Sequence, residues 1–303
     1  MPRRALGTML FVVVLGVLAA QAQQAVGDYL DVYIAQVKPE KRAEFDAINT
    51  KMVAANRQNH GDIWLAMETM YGPGNRVTFV SSRNSYADAE TGSAMFDQAM
   101  SKAFGKAAAD KMAQDMNQCL VSWRTEIRRR RWDLSSNAPT DPAAYARLIA
   151  SSRYLRTAAI HVKPGQALAF EALEKELKVA REKANPPQTV FVSQAVAGQD
   201  GTVYYVTTLA NSLAAFDTLP STQQLLGDEG YARLLKTSAE TTSEMEVVIN
   251  HFLPELSNPP EQIVSLAPDF WKPKTAVANA AKSAKHPAVN AAETGKMSNK
   301  NKQ

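Results

Sequence analysis

Tyr154-Leu155-Arg156-Thr157-Ala158-Ala159-Ile160-His161-Val162-Lys163-Pro164-Gly165-Gln166-Ala167-Leu168-Ala169-Phe170 is the stretch on which the fold turns. It is a run rich in β-formers, stopped by Lys-Pro and followed by a phenylalanine that opens a helical pattern. The same skeleton stands earlier in the chain, where Tyr29-Leu30 leads to Val37-Lys38-Pro39 and then to Phe45. The two sets of positions move together, from 29 to 154, from 37 to 162 and from 45 to 170. Asp46-Ala47-Ile48 is answered by Glu171-Ala172-Leu173, and Val77-Thr78-Phe79-Val80-Ser81-Ser82 by Val203-Tyr204-Tyr205-Val206-Thr207-Thr208. Asn84-Ser85 returns as Asn211-Ser212, and each copy ends in an acid-Leu-Ser, Asp133-Leu134-Ser135 and Glu255-Leu256-Ser257. Collinear agreement at the start, middle and end predicts a tandem duplication. The copies run 28–135 and 153–257, with a polar linker at 136–152 that contains Pro139 and Pro142.

Each copy reads as βαββαβ. After the first strand, Phe45, Ile48, Met52 and Ala55, or Phe170, Leu173, Leu177 and Ala180, fall at helical spacing. Second strands are predicted at Ile63–Tyr71 and Thr189–Val196. The turns Gly72-Pro73-Gly74-Asn75 and Gly198-Gln199-Asp200-Gly201 lead each into a third strand. A second helical stretch carries Met95, Phe96, Met100 and Phe104 in one copy and Tyr231, Leu234 and Leu235 in the other. A last strand, Leu120–Arg129 or Met245–Phe252, closes the unit. One such unit has both helices on one sheet face and leaves the other face uncovered. The second copy supplies the cover, so the predicted class is α+β, with two ferredoxin-like βαββαβ units forming an intramolecular pseudo-dimeric α+β barrel.

A first strand running into Val-Lys-Pro-Gly, with a Phe six residues after the Pro, resembles the dimeric α+β barrel superfamily, which includes antibiotic-biosynthesis monooxygenase-like and NIPSNAP-like domains. The likeness covers both copies, and copy one departs from it with Glu40 where copy two has Gly165. The resemblance implies the fold. Members include cofactor-free oxygenases, haem-dependent enzymes and proteins of no known chemistry, so it leaves the activity open.

The chain ends read differently from the body. Met1-Pro2-Arg3-Arg4, the apolar run from Met9 to Ala20 and Ala20-Gln21-Ala22 form the pattern of a secretory signal peptide over residues 1–22, with an apolar run shorter than a usual bilayer span, the alternative being an uncleaved N-terminal anchor. Export to the periplasm or the exterior is expected, with no transmembrane segment after cleavage. From 258 to 303 the composition shifts to Pro, Ala, Lys, Asn and Ser. A mostly disordered tail is expected there, with Phe270 and Trp271 tucked back onto the body. The chain has 34 Lys and Arg against 30 Asp and Glu, a net charge of +4. The excess sits in the leader and the tail, and residues 23–257 carry 25 bases and 27 acids. A basic nucleic-acid-binding body is thereby excluded.

Chemistry is sparse. Cys119 is the only cysteine, which forbids an intrachain disulfide, and it reads as a small buried side chain. His60, His161, His251 and His286 are scattered, without the spacing of a metal site. No cofactor is expected, the alternative being haem held by His161 or His251. On the first strands, Leu30, Val32 and Ile34, with Leu155, Thr157, Ala159 and His161, read as the face packed on helices. The opposite face carries Tyr29, Asp31 and Tyr33 in copy one and Tyr154, Arg156 and Ala158 in copy two, and would look between the sheets. There Asp31 and Arg156 either pair and pin the copies together or form the polar corner of a pocket. Trp123-Arg124 and Arg128-Arg129-Arg130-Arg131-Trp132 are the strongest charge feature; alternation splits the arginines between two faces, and a run of this kind at a strand end reads as solvated. The candidate ligand-binding residues are Asp31, Tyr33, Trp123, Arg156 and His161, with no catalytic residue assigned. The expected role is binding, or oxidising, a small, partly apolar molecule in the cleft between two sheets. The rival reading is a non-catalytic interaction module built on the same scaffold, and in either case a monomer with an internal pseudo-two-fold.

Overall fold

Runs of β-branched and aromatic residues form eight strands in chain order: β1 (Tyr29–Val37), β2 (Leu65–Tyr71), β3 (Arg76–Arg83), β4 (Leu120–Arg130), β5 (Tyr154–Val162), β6 (Phe191–Ala197), β7 (Thr202–Ala210) and β8 (Thr242–Phe252). The computed structural model describes residues 26–139, 141–184 and 188–272; the leader read at 1–22 and the tail beyond 272 lie outside the described residues. The strands close into one barrel in the order β1-β3-β2-β8-β5-β7-β6-β4. Every neighbouring pair is antiparallel. Each half contributes its strands in the same order, last-first-third-second. The halves meet at two seams, β2 on β8 and β4 on β6. This is the pseudo-dimeric α+β barrel, with no free sheet edge.

The registers correct one detail of the repeat. Leu30 stands opposite Ser82 in β3, whereas its counterpart Leu155 stands opposite Leu209 in β7. Ser82 therefore corresponds to Leu209, and the third strands match one residue further along than their sequence similarity indicates. In a strand this slip exchanges the two faces.

Helices α1 (Arg42–Gln58), α2 (Tyr86–Phe104) and α3 (Lys106–Gln118) cover the first half, and α5 (Ala167–Lys183) and α6 (Thr222–Thr241) the second. In the first half Phe45, Ile48 and Val53 of α1 and Met116 of α3 pack on Ala35, Val37, Ala66 and Val77. In the second, Phe170 of α5 packs on Ala158, Ile160, Val162 and Tyr204. The single helical stretch expected after β3 is two helices, because Gly105 adopts φ 79°, a left-handed conformation that glycine takes without a Cβ clash.

The segment read as a polar linker contains α4 (Pro142–Ser151). Asp141 caps it by accepting from the backbone N–H groups of Ala143 and Ala144, and Pro142 occupies its first turn. Its buried Ala146, Ile149 and Ala150 join Met67, Leu155 and Phe252 of the strands with Ile263, Val264 and Trp271. The last three belong to α7 (Glu261–Leu266) and α8 (Pro268–Trp271). Asn258 pairs with Trp64 through both backbone hydrogen bonds, at 2.9 and 3.0 Å. The ordered body thus continues past residue 257, and α4, α7 and α8 plug one end of the barrel.

Trp271 is fully buried, with ring centroids 5.3 Å from Phe252 and 4.9 Å from Phe270. Trp271→Ala is expected to destabilise the protein by about 3–5 kcal/mol in denaturant unfolding, the usual cost of deleting a buried indole. A loss under about 1 kcal/mol would show that the plug is not part of the cooperative unit.

Candidate ligand-binding cavity

The barrel interior is built from alternate residues of every strand. On β1 and β5 these are Leu30, Ile34, Leu155, Thr157 and Ala159, all of which border a cavity of about 160 Å³. The expected assignment of faces is therefore inverted: this face looks into the barrel, and the one carrying Asp31, Tyr33 and Arg156 lies outside. Both faces of these strands are covered, one by helices and one by the opposite half. Hydrophobic alternation consequently carries no sign of which is which.

On β4 the same alternation sends Arg124, Glu126, Arg128 and Arg130 inward, across from Ile34, Val32 and Leu30. The expectation of a solvated arginine run is corrected for Arg128 and Arg130, whose exposures are 12% for the side chain and 7% for the residue. Of the outward members, Arg129 is exposed, and Arg131 pairs with Asp133 at 2.7 Å and Glu171 at 2.5 Å. Glu126 is buried and accepts hydrogen bonds from Arg124 Nε at 2.7 Å, Arg128 Nε at 2.7 Å, Gln199 Nε2 at 2.6 Å and the Tyr205 hydroxyl at 2.8 Å. The Arg128 guanidinium also lies 3.4 Å from the centre of the Tyr205 ring, a cation–π contact. Gly198 makes the Gln199 contact possible: a Cβ there would stand 2.0 Å from the Thr125 carbonyl oxygen.

Burial acts to raise the Glu126 pKa. The Arg128 charge and the hydrogen bonds from Tyr205, Arg124 and Arg128 outweigh it and hold the carboxyl below its ordinary value. Burial, with Glu126 beside it, pushes the Tyr205 hydroxyl up to about 12, so it stays a donor.

The rest of the wall runs from apolar to charged. Leu65, Met67, Phe191, Phe252 and the α4 residues Tyr145 and Ile149 enclose the plugged end. In the middle, Thr69 donates to Asn250 at 2.8 Å across one seam, and Thr157 and Thr207 share a hydrogen bond of 3.1 Å. At the far end Arg76 pairs with Glu246 at 3.0 Å, and the side chains of Glu246 and Arg124 are 38% and 47% exposed. The cavity meets solvent at this charged end.

None of the five sequence-derived candidates borders this cavity. Asp31 sits under the helices of the first half, 3.4 Å from Arg83, which itself pairs with Asp62 at 2.6 Å. Burial raises the Asp31 pKa, and Arg83 opposes it. Tyr33 stacks on exposed Trp123 at 5.9 Å, and burial pushes its hydroxyl up to about 12. Arg156 is exposed and borders an open hollow with Phe216, Leu219 and Tyr231. Asp31 and Arg156 accordingly do not pair with each other. His161 is the last residue but one of β5 and stands opposite Glu244. His251 faces outward, its Nε2 3.9 Å from Glu68 and its Nδ1 buried without a partner. Neither histidine borders the cavity or the Arg156 hollow. Among the described residues no three His, Cys, Asp or Glu side chains are grouped to hold a metal ion. Cys119 is buried, and burial raises its thiol pKa.

The inward residues of β4 do not emerge from the sequence reading because a charged run at a strand end reads as solvated on both of its faces, whereas in the closed barrel one face looks inward. Their signal was the strict alternation Arg124-Glu126-Arg128-Arg130, with an acid between cations on a single strand face.

Glu126→Gln removes the anion that compensates Arg124 and Arg128, and is expected to cost about 3–5 kcal/mol near neutral pH. The folded pKa of Glu126 is depressed, so its contribution is present above the ordinary value of 4.5 and is lost as pH falls through the folded value. The stability gap between wild type and variant, from urea unfolding at several pH values, should therefore narrow below pH 4.5. A gap independent of pH would contradict this assignment.

No protein-family model matches the sequence, and neither does any curated protein. Similar solved structures include an anthrone oxidase-like protein, 16% identical, matched over 75% of this chain and 92% of its own, with a TM-score of 0.48. A candidate monooxygenase from Lactobacillus acidophilus NCFM is 10% identical over 74% of this chain and 93% of its own, TM-score 0.43. Chlorite dismutase from Candidatus Nitrospira defluvii, in complex with imidazole, is 12% identical over 80% and 96%, TM-score 0.40. At such identities and TM-scores nothing about this chain rests on the likeness; the closed α+β barrel with both halves in one chain follows from the strand order itself.

Proposed function

We propose that this is an exported binding protein that holds one small, partly apolar molecule inside its barrel. The observation that carries the reading is the cavity itself, closed by α4 at an apolar end and bordered by charged and hydroxyl groups towards solvent. An aromatic and aliphatic pocket with a few convergent polar groups is the usual form of a small-molecule site. A barrel serving only as an interaction scaffold would gain stability by filling that space with its own side chains. The volume, about 160 Å³, sets the scale of the ligand. A cavity of about 150 Å³ accepts benzene, so a molecule on the order of six to ten non-hydrogen atoms is expected. The groups on the wall enclose and orient such a molecule, and the reading is one of binding rather than turnover.

Ala159 borders the cavity and stands beside Tyr205 in β7 and Glu246 in β8. Ala159→Phe puts a ring into the space a ligand would take. Titration calorimetry with hexanol and benzyl alcohol should show binding to the wild type and at least a tenfold loss in the variant, with circular dichroism unchanged. Equal binding by both proteins would place the ligand elsewhere.

A further inference from the structure

Four arginines face the barrel interior, and three have carboxylate partners: Arg76 with Glu246, and Arg124 and Arg128 with Glu126. Arg130 has none. It is 7% exposed, borders the cavity near its plugged end, and makes no ion pair within 4.0 Å among the described residues. Its guanidinium donates one hydrogen bond there, from Nη2 to the Tyr145 hydroxyl at 2.9 Å, and its Nε is buried with no acceptor. Asp28, whose backbone carbonyl accepts from the Arg130 N–H, gives its carboxylate to the Trp132 indole N–H at 2.8 Å. Two rings flank the cation, Trp132 at 5.4 Å and Tyr145 at 5.2 Å. Across the seam stands Ser193, which also borders the cavity.

A buried cation that keeps an unused donor and lacks a counter-charge, at the wall of a cavity, is chemically incomplete. A guanidinium beside two aromatic rings keeps its planar fork of donors, and a planar carboxylate is the group that such a fork recognises. The remaining lining near Arg130 is apolar: Met67, Ile149, Leu155, Phe191 and Phe252. We infer that the ligand is a small monocarboxylate, aliphatic or aromatic, whose carboxylate is held by Arg130 at the closed end while its apolar body fills the barrel. This rests on the cavity being the binding site and adds the chemical class of its occupant. The other half supplies a control within the molecule. The backbone N–H of Arg130 donates to Asp28 and that of Phe252 to Arg153 in the same register, so Phe252 holds the position equivalent to Arg130. There a ring packs on Trp271, and no charge needs an answer.

The test is calorimetric titration of the full chain at pH 7 with hexanoate and benzoate against their neutral isosteres, hexanamide and benzamide, and against hexanol and benzyl alcohol. The carboxylates should bind at least tenfold more tightly than the matched amides. Arg130→Met should abolish that preference, with an unchanged circular dichroism spectrum showing that the variant is folded. Arg130→Lys, which keeps the charge but not the planar fork, should retain only part of it. Carboxylates and amides binding equally to wild type would overturn the carboxylate assignment and leave the cavity reading standing. Failure of every compound, alcohols included, would overturn both. If Arg130→Met does not fold, the wild-type comparison of carboxylate with amide decides alone.

Discussion

The Glu126 carboxylate is the constraint around which the barrel is organised. It belongs to β4 of the first half, and two of its donors, Arg124 and Arg128, lie on the same strand. The other two, Gln199 and Tyr205, come from the second half. A buried carboxylate must be satisfied on most of its lone pairs, and no arrangement of one half alone does this. The β4–β6 seam is held by main-chain pairing, but its side-chain specificity comes from this cluster. Moving one half along the other by a residue would take the Gln199 and Tyr205 donors away from Glu126 and leave its buried carboxylate with its same-strand arginines alone. Such a cluster adds little net stability over a hydrophobic filling, yet it penalises every wrong register heavily.

The cavity follows from the same constraint. Long cationic side chains stand where aliphatic ones would interdigitate, and each is drawn sideways to a partner on the wall: Arg128 onto the Tyr205 ring, Arg124 to Glu126, Arg76 to Glu246. Side chains that lie along the wall do not fill the axis. At the other end the strands finish in apolar residues, and α4 with the C-terminal helices completes a closed hydrophobic floor. Charge at the mouth and an apolar floor thus arise from a gradient along the strands, with Arg130 as its one exception.

Much of this architecture was legible in the sequence, because the repeat placed each strand and the need to cover two sheet faces implied the barrel. The faces were not legible. Leu30, Val32 and Ile34 are as apolar as any helix-packed set, and Tyr29, Asp31 and Tyr33 look like a pocket until Arg83 and Asp62 are seen under the helices beside Asp31. A closed barrel with helices outside buries both sides of its strands, so polarity loses its usual meaning. The third-strand register went wrong for a related reason, since β-branched and aromatic runs align nearly as well one residue out of step. The cue to α4 was local and available: Asp141-Pro142 is a capped helix start, and Tyr145 and Ile149 sit one turn apart behind it.

The two halves share strand order but not chemistry, and the cavity depends on that difference. Matched through their partners on β1 and β5, Arg124, Glu126, Arg128 and Arg130 of β4 correspond to Glu246, Val248, Asn250 and Phe252 of β8. One wall therefore carries three cations and an acid, and the facing wall one acid, one amide and two apolar groups. A barrel with true two-fold symmetry would present the same groups twice and hold a small ligand in two equivalent poses. Here the charge comes from one strand, so a small polar group has one wall to find and its apolar body one floor to rest on. The outer faces differ in the same way: Asp31 is locked to Arg83 in the first half, while Arg156, at the equivalent place in the second, has no acid within ion-pair distance among the described residues. Joining both halves in one chain permits this, because a homodimer cannot change one wall without changing the other.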